Sequence, residues 1–277
     1  MRTLLVLARV SNLPTVWTNC LAAWLLAGGA GWQRFSILCL GASLLYTAGM
    51  FLNDAIDQEF DRRYRPERPI VSGQISSLAV WVLSGAFLIS GCFTFALLGG
   101  VSLAYALALA ATIVLYDLVH KRTTLSPVFM AACRFLLYLL AASVLYRATS
   151  PDVVWPAVAL AAYIAGLSYL ARGESTGGAA IRSPVVLLFL PAAVALLRGP
   201  RPSFGLWCDL LLQVGWTTWC LCPRRPAWAH FIPQSIPGLL AGIALVDLLA
   251  ATGRGFPAFF LSCFVLAIVL QRIAPAS

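Results

Sequence analysis

The sequence predicts an all-α polytopic membrane bundle of nine or ten transmembrane helices, and three observations predict it. Of the 277 residues, 61% are hydrophobic and only 10% are charged. The mean hydropathy is +0.87, whereas a soluble domain is about 45–50% apolar and about 25% charged. The apolar residues fall in long runs without strict alternation, which excludes β-strands of either the soluble or the barrel kind. Such a chain could not hide its apolar surface in water, so an ordinary soluble enzyme, a disordered chain and a nucleic-acid module are all excluded.

A helix needs about 20 apolar residues to cross a hydrocarbon core of ~30 Å. The apolar runs cover residues 13–30, 35–53, 77–98, 101–117, 126–146, 153–171, 183–197, 204–222, 234–251 and 256–273. Glycine, proline and charge separate them, at Gly31 to Arg34, Asp54 to Ser77, Gly99-Gly100, Lys121-Arg122, Ser150 to Asp152, Gly173 to Gly178, Gly199 to Pro202, Pro223 to Pro226 and Thr252 to Gly255. Arg2 and Arg9 precede a first run that continues past residue 25 with no small-residue cleavage site, so it reads as a span and not as a signal peptide. The whole of 1–277 reads as one integral membrane domain.

Basic residues outnumber acidic ones, 19 to 10, and topology accounts for that excess. With the N-terminus in the cytoplasm, 13 of the 19 fall on the cytoplasmic side and 5 on the other, with Arg134 inside the fifth run. This bias follows the positive-inside rule and supports that orientation; the expected location is a bacterial inner membrane, with the acidic loops facing the cytoplasm. The eight cysteines form no C-x-x-C pair and lie almost entirely within apolar runs, where they act as small hydrophobes. The sequence carries no signal for oligomeric state.

Acidic residues contribute little to topology, so their placement needs another cause. Half of the ten lie in one stretch, Asp54, Asp57, Glu59, Asp61 and Glu67, at the end of the second run. At about 100° per residue, Asp54, Asp57 and Asp61 share a sector about 60° wide if the helix continues through them. Carboxylates that close repel one another unless a cation is present. Mg²⁺ answers this, because it binds one or two carboxylates together with substrate phosphates. The plainer alternative is a solvated acidic helix end that balances Arg62, Arg63, Arg65 and Arg68. Pro66 and Pro69 are expected to stop the helix and hold the following backbone extended. Arginines beside such a triad suit a ligand that carries anionic oxygens, since arginine recognises phosphate in a bidentate manner.

The run Asn53-Asp-x-x-Asp57-x-x-x-Asp61, followed by Arg65-Pro-Glu-Arg68-Pro-Ile and Ser72-Gly73, resembles the first aspartate motif of the UbiA-type membrane prenyltransferases. Tyr116-Asp117-Leu-Val-His120-Lys121 resembles the family's tyrosine-to-lysine loop, and Arg9-Val-Ser-Asn-Leu-Pro14 resembles the start of its first helix. The resemblance implies a helix bundle around a central cavity open to lipid. It implies Mg²⁺ on an isoprenyl diphosphate at the cytoplasmic mouth, and transfer of the prenyl group to a lipophilic, often aromatic, acceptor. Carried over residue by residue, it implies Asp54, Asp57 and Asp61 as metal ligands and Lys121 as a catalytic cation. Asn53, Arg65, Arg68, Tyr116, Asp117 and Arg172 fall to the substrates. The second aspartate motif is expected near position 174. There the chain reads Tyr169-Leu-Ala-Arg172-Gly-Glu174-Ser-Thr-Gly-Gly178, so Glu174 stands as a residual metal ligand and Gly178 takes the place of a carboxylate. This segment and Met130-Ala-Ala-Cys133-Arg134 resemble the divergent EboC-like branch. Two further readings use the same residues: a weakened or non-catalytic protein that binds or moves a lipophilic compound, and a terpene-cyclising variant.

Four more residues stand out. Arg134 is costly in hydrocarbon and is expected to face the cavity, on diphosphate or acceptor, or to enter a structural ion pair. Asp209 and Asp247 are expected to meet water or a neighbouring helix, and His120 reads as a loop histidine. Gly238-x-x-x-Gly242 is a small-residue helix-packing signal.

Overall fold

The computed structural model describes residues 2–176, 183–198, 202–222 and 235–274, and all their side chains except those of 173–176, 183, 184 and 235. Those residues are helical almost throughout. In chain order the helices are α1 (Arg2–Leu7), α2 (Leu13–Leu26), α3 (Trp32–Ile56), α4 (Gln58–Tyr64), α5 (Ser77–Ala96) and α6 (Gly100–Val119). They continue with α7 (Ser126–Ser143), α8 (Pro151–Thr176), α9 (Leu190–Arg198), α10 (Phe204–Leu221), α11 (Ser235–Ala250) and α12 (Pro257–Ile273). Short 3₁₀ segments cover Val10–Asn12 and Ser183–Phe189.

Each of the ten apolar runs carries a helix. By length and composition, α3, α5, α6, α7 and most of α8 can each cross a membrane, while α11, α12 and the Val185–Arg198 stretch are shorter apolar helices. The seventh run is broken because Pro191 lacks the N–H that would join its 3₁₀ and α pieces into one helix. Helix starts use local chemistry: Ser76 Oγ accepts from the Ala79 N–H before α5, and Ser203 Oγ from the Leu206 N–H before α10, both at 3.2 Å.

α2 is the hub. It is buried along nearly its whole length and contacts α3, α7, α11 and α12. α3 packs along α5, where Ser84 Oγ on α5 donates to the Ala48 carbonyl at 3.0 Å, and α7 packs between α6 and α8. Of the glycine pair in α11, Gly242 lies at a close helix contact. A Cβ on Gly242 would lie 2.8 Å from Tyr163 Oη of α8 and 3.0 Å from Trp216 of α10. Those two side chains donate to the Leu239 and Gly238 carbonyls. Around this core, large apolar side chains point outward, among them Leu78 at 73%, Ile89 at 72% and Leu211 at 74% exposed. An outward apolar surface of this extent fits lipid and not water, so the chain is an integral membrane protein.

The bundle has two ends. The C-terminal ends of α3, α6 and α8 and the N-terminal ends of α2 and α7 meet at one of them, and this is where the sequence concentrates its acidic residues.

Candidate active site

The helix of the second span does not stop at residue 53. It runs to Ile56, bends at Asp57, and resumes as α4. The bend keeps two helical hydrogen bonds, from Asp57 N–H to the Asn53 carbonyl and from Asp61 N–H to the Asp57 carbonyl, each 2.9 Å. The three aspartates therefore stay on one side of the chain, as their spacing implied. Pro66 ends the helix, as expected, but the next segment is not extended. Residues 68–72 form one helical turn, closed by Gly73 at φ +76°. The Gln74 N–H donates to the Pro69 carbonyl and the Gly73 N–H to that of Ile70, the pattern that satisfies the last carbonyls of a helix through a left-handed glycine. This turn folds Arg68 back onto Asp54.

Each aspartate has a different setting. Asp54 is 3% exposed. Arg9 Nη2 reaches it at 3.0 Å, and Arg68 Nη1 lies 3.4 Å from both its oxygens. Asp57 receives Lys121 Nζ at 2.8 Å and faces His120 Nε2 at 3.3 Å. Asp61 is buried and enters no ion pair among the described residues. The shifts follow these settings. Burial alone would raise the Asp57 carboxyl, but hydrogen bonds from His120 and Lys121 outweigh it and hold the group below its ordinary value. Burial raises the Asp61 carboxyl, with Arg68 opposing and Asp57 reinforcing the rise.

The His120 ring lies between two acceptors: Nδ1 is 3.0 Å from the Asp117 carbonyl and Nε2 faces Asp57. Neither acceptor can donate, so both ring nitrogens carry protons when both bonds form. Burial would lower the imidazole, but hydrogen bonding and charge from Asp57 lift it above its ordinary value. His120 sits in the turn that follows α6, as expected of a loop histidine, and from there it faces Asp57. Arg9 is the other residue whose place here was not read from the sequence. Its guanidinium also donates to Asn53 Oδ1 at 2.9 Å, and its carbonyl accepts from Tyr46 Oη. The only sequence signal for it was the short opening resemblance, 45 residues from its partner.

The remaining expected residues divide. Asn53 bridges Arg9 and Asp117, donating to Asp117 Oδ1 at 3.1 Å. Asp117 Oδ2 is buried without a hydrogen-bond partner. Tyr116 stacks on His120 with ring centroids 5.1 Å apart. Arg65 is exposed. Arg172 Nη1 donates to the Thr123 carbonyl at 2.6 Å and to Ser126 Oγ at 3.0 Å, which ties the end of α8 to the loop that carries Lys121. Arg134 donates to Asn19 Oδ1 at 2.6 Å and Thr15 Oγ1 at 3.1 Å. It faces a cavity, as expected, and its hydrogen-bond partners are neutral. Glu174 belongs to the last turns of α8, but its side chain and Gly178 lie outside the described residues.

Two cavities meet here. A mouth of about 420 Å³ opens among Asp57, Arg63, Tyr64, His120, Lys121 and Arg122. An inner cavity of about 80 Å³ lies deeper, walled by Tyr46, Ile113, Tyr116, Met130, Cys133 and Arg134 among others. Asp117 borders both. Asp209 and Asp247 take no part. Asp209 accepts from Thr252 in the α11–α12 loop, and Asp247 accepts from Thr18, Asn19 and Tyr138 on neighbouring helices, as expected for Asp247.

Among the described residues, no three acidic, histidine or cysteine side chains converge on one point. The donor set still fits Mg²⁺, which takes hard oxygen ligands and typically only one or two carboxylates, the rest coming from water and substrate phosphate. Asp57 and Asp61 are one helical turn apart, and Asp61 has no competing cation at bonding distance.

Comparison with known proteins bears on the fold and the family. A 4-hydroxybenzoate octaprenyltransferase from Methylibium petroleiphilum is 40% identical over 67 residues, 23% of this chain and 22% of that protein. A digeranylgeranylglyceryl phosphate synthase from Methanothrix thermoacetophila is 34% identical over 116 residues, 41% and 43% of the two chains. The chain thus matches less than half the length of these curated relatives. Among solved structures, a UbiA homologue from Archaeoglobus fulgidus bound to GPP and Mg²⁺ superposes with a TM-score of 0.64 at 15% identity, covering 96% of this chain and 100% of that one. The apo UbiA homologue from Aeropyrum pernix K1 gives 0.56 at 17% identity, covering 95% and 94%. At such identities the likeness is one of fold. The model of the UbiA prenyltransferase family matches residues 13–223, most of the chain, and the chain belongs to that family.

Proposed function

We propose that this protein transfers an isoprenyl group from a polyprenyl diphosphate to a lipophilic acceptor within the membrane. The observation that carries the proposal is the aspartate end of the bundle. There, Asp54 and Asp57 are held by cations from three other segments, beside an inner cavity bordered by one carboxylate with a free oxygen. Carboxylates, excess cations and an apolar interior at one membrane surface match a substrate with a metal-binding, anionic head and an apolar tail.

In this reading Asp54, Asp57 and Asp61 would hold Mg²⁺, with Glu174 as a residual ligand. The ion would neutralise charge on the departing diphosphate. Lys121 and Arg68 leave their aspartates to meet phosphate oxygens, and Arg65 closes on them from the exposed turn. These residues stabilise the negative charge that grows as the carbon–oxygen bond of the donor breaks. Arg172 acts by holding the Lys121 loop. Asn53 and Arg9 fix Asp54 and Asp117 relative to one another. Tyr116 and Arg134 border the place of the reacting carbon and the acceptor. The free oxygen of Asp117 accepts a hydrogen bond from the acceptor. At about 80 Å³ the inner cavity is well below the ~300–1,000 Å³ of ordinary ligand pockets. It therefore admits only the reacting end of the donor, and the tail leaves between helices into lipid.

The site faces the cytoplasm, in keeping with the basic-residue bias, the membrane is a bacterial inner membrane, and residues 1–277 act as one domain. The test is pyrophosphate release by the purified protein in lipid. It is supplied in turn with geranyl, farnesyl and geranylgeranyl diphosphate, with and without Mg²⁺, and with a membrane-lipid extract as acceptor source. Release that needs Mg²⁺ and labels a lipophilic product is expected. No release with any donor from folded protein overturns the proposal in favour of a binding role.

A further inference from the structure

At the end of the bundle opposite the aspartates, a separate cavity of about 340 Å³ opens between α2, α8, α9 and α11. Its floor is apolar, with Leu26, Val246 and Leu249. Its rim is basic. Arg198, the last residue of α9, lies over the Trp155 ring at 4.3 Å from the centroid, a cation–π contact that holds the guanidinium at the opening. Arg254 comes from the α11–α12 loop. On either side of it, Gly253 and Gly255 take φ +76° and +97°, a conformation that residues with a Cβ rarely adopt, and these two turns carry Arg254 back over the cavity. Among the described residues that line the cavity, Asp152 is the one carboxylate; it is 4.0 Å from Arg254 and largely exposed, and Asp209 stands behind the lining on Thr252, so the two arginines outnumber the carboxylate that faces the opening.

We propose that this cavity binds an anionic membrane phospholipid, with its phosphate on Arg198 and Arg254 and its glycerol and first acyl carbons on the apolar floor. Arginine pairs, unlike lysines, match phosphate in a bidentate manner. Two guanidiniums over an apolar floor between helices, at the level where tryptophan marks the membrane interface, suit a phosphate headgroup and the first acyl carbons together. A free anion would use the rim and leave the floor unfilled. A zwitterionic headgroup would bring its own cation against the two arginines. The proposal goes beyond the chemistry of the aspartate end and does not depend on it.

The experiment is native mass spectrometry and thermal melting of the purified full chain in detergent. The added probes are phosphatidylglycerol, phosphatidylcholine or inorganic phosphate. The wild type should retain phosphatidylglycerol over phosphatidylcholine by about tenfold or more and melt higher in its presence. Arg198→Gln/Arg254→Gln should lose both effects, while Arg34→Gln, a basic residue outside the cavity, should keep them. If the double variant fails to fold, Arg254→Gln alone should lose most of the preference. Equal retention of the two lipids, an undiminished preference in the cavity variants, or an equal loss in Arg34→Gln overturns the proposal. Stabilisation by inorganic phosphate alone, without retained lipid, overturns the lipid assignment.

Discussion

Asp54 and Asp247 are both buried carboxylates in a membrane protein, at 3% and 0% exposure, and they are satisfied in opposite ways. Asp54 faces two guanidiniums, from Arg9 and Arg68. Asp247 receives three neutral donors from two helices: Thr18 Oγ1 at 2.6 Å, Asn19 Nδ2 at 2.7 Å and Tyr138 Oη at 2.9 Å. Neutral donors of fixed length close a site: every lone pair they serve is bound to a helix that cannot leave. Cations on long side chains leave it open, because each can exchange its carboxylate for another anion when a metal takes the carboxylate. A buried ionisable group in a membrane is therefore not by itself a mark of chemistry. The identity of its partners separates a closed structural knot from a carboxylate whose partners can be exchanged.

That contrast can be broken most sharply by removing one carboxylate from each region. Asp57→Ala should lower turnover by at least about 100-fold, the scale of losing a group that stabilises transition-state charge, while the melting curve keeps its shape. Asp247→Ala should do the reverse. Stranding three donors at roughly 0.6 kcal/mol each within a membrane protein costs about 2 kcal/mol of stability, read as a lower melting temperature. Asp247→Asn should recover part of that loss, because one carbonyl oxygen remains to accept. If Asp247→Ala left stability untouched and abolished turnover, the distinction drawn here would fail.

Lys121→Ala should lower kcat/KM for the diphosphate donor by about 10-fold, the lower range for a hydrogen bond to a charged group. The Asp57–His120 pair gives a smaller effect with a definite sign. His120 is raised above its ordinary 6.5, so its contribution to stability is complete below that value and is lost as pH rises through its folded value. Asp57 is lowered below 3.8, so its share is present above that value and lost only as pH falls through its lower folded value. Without Mg²⁺, the stability difference between wild type and His120→Gln should therefore be largest between 3.8 and 6.5 and shrink as pH rises through the raised value of His120. A difference that grew with alkaline pH would mean that the pair is not formed. The smallest expected change is a gain. Gly178→Asp restores a carboxylate where the second aspartate motif lacks one, and should lower the Mg²⁺ concentration needed for half-maximal turnover.

Much of this molecule is legible in the sequence because its cause is local. Ten apolar runs became helices since hydrocarbon leaves the backbone no other partners, and glycine, proline and charge ended them close to where they stand in the chain. The aspartates share a face because their spacing is helical. Contacts between distant segments were not legible. Arg9 meets Asp54, and His120 meets Asp57, across separations that no periodicity encodes. The bend at Asp57 and the turn at 68–72 depend on backbone hydrogen bonds that Pro66 and Pro69 permit but do not specify. Arg172 had the composition of a phosphate ligand, yet packing gave it a carbonyl and a hydroxyl to hold. Arg68 had the same composition and was folded back onto an aspartate.

The central claim is that the carboxylates of α3 and α4 hold a metal together with the donor's diphosphate. Its most direct test is equilibrium binding of a non-hydrolysable farnesyl thiolodiphosphate to the purified protein in lipid, titrated with and without Mg²⁺, for wild type, Asp57→Ala and Asp247→Asn. The account predicts binding that strengthens steeply with Mg²⁺ in wild type and Asp247→Asn and loses its Mg²⁺ dependence in Asp57→Ala. Binding indifferent to Mg²⁺ in the wild type, or Mg²⁺-dependent binding that survives in Asp57→Ala, would contradict it.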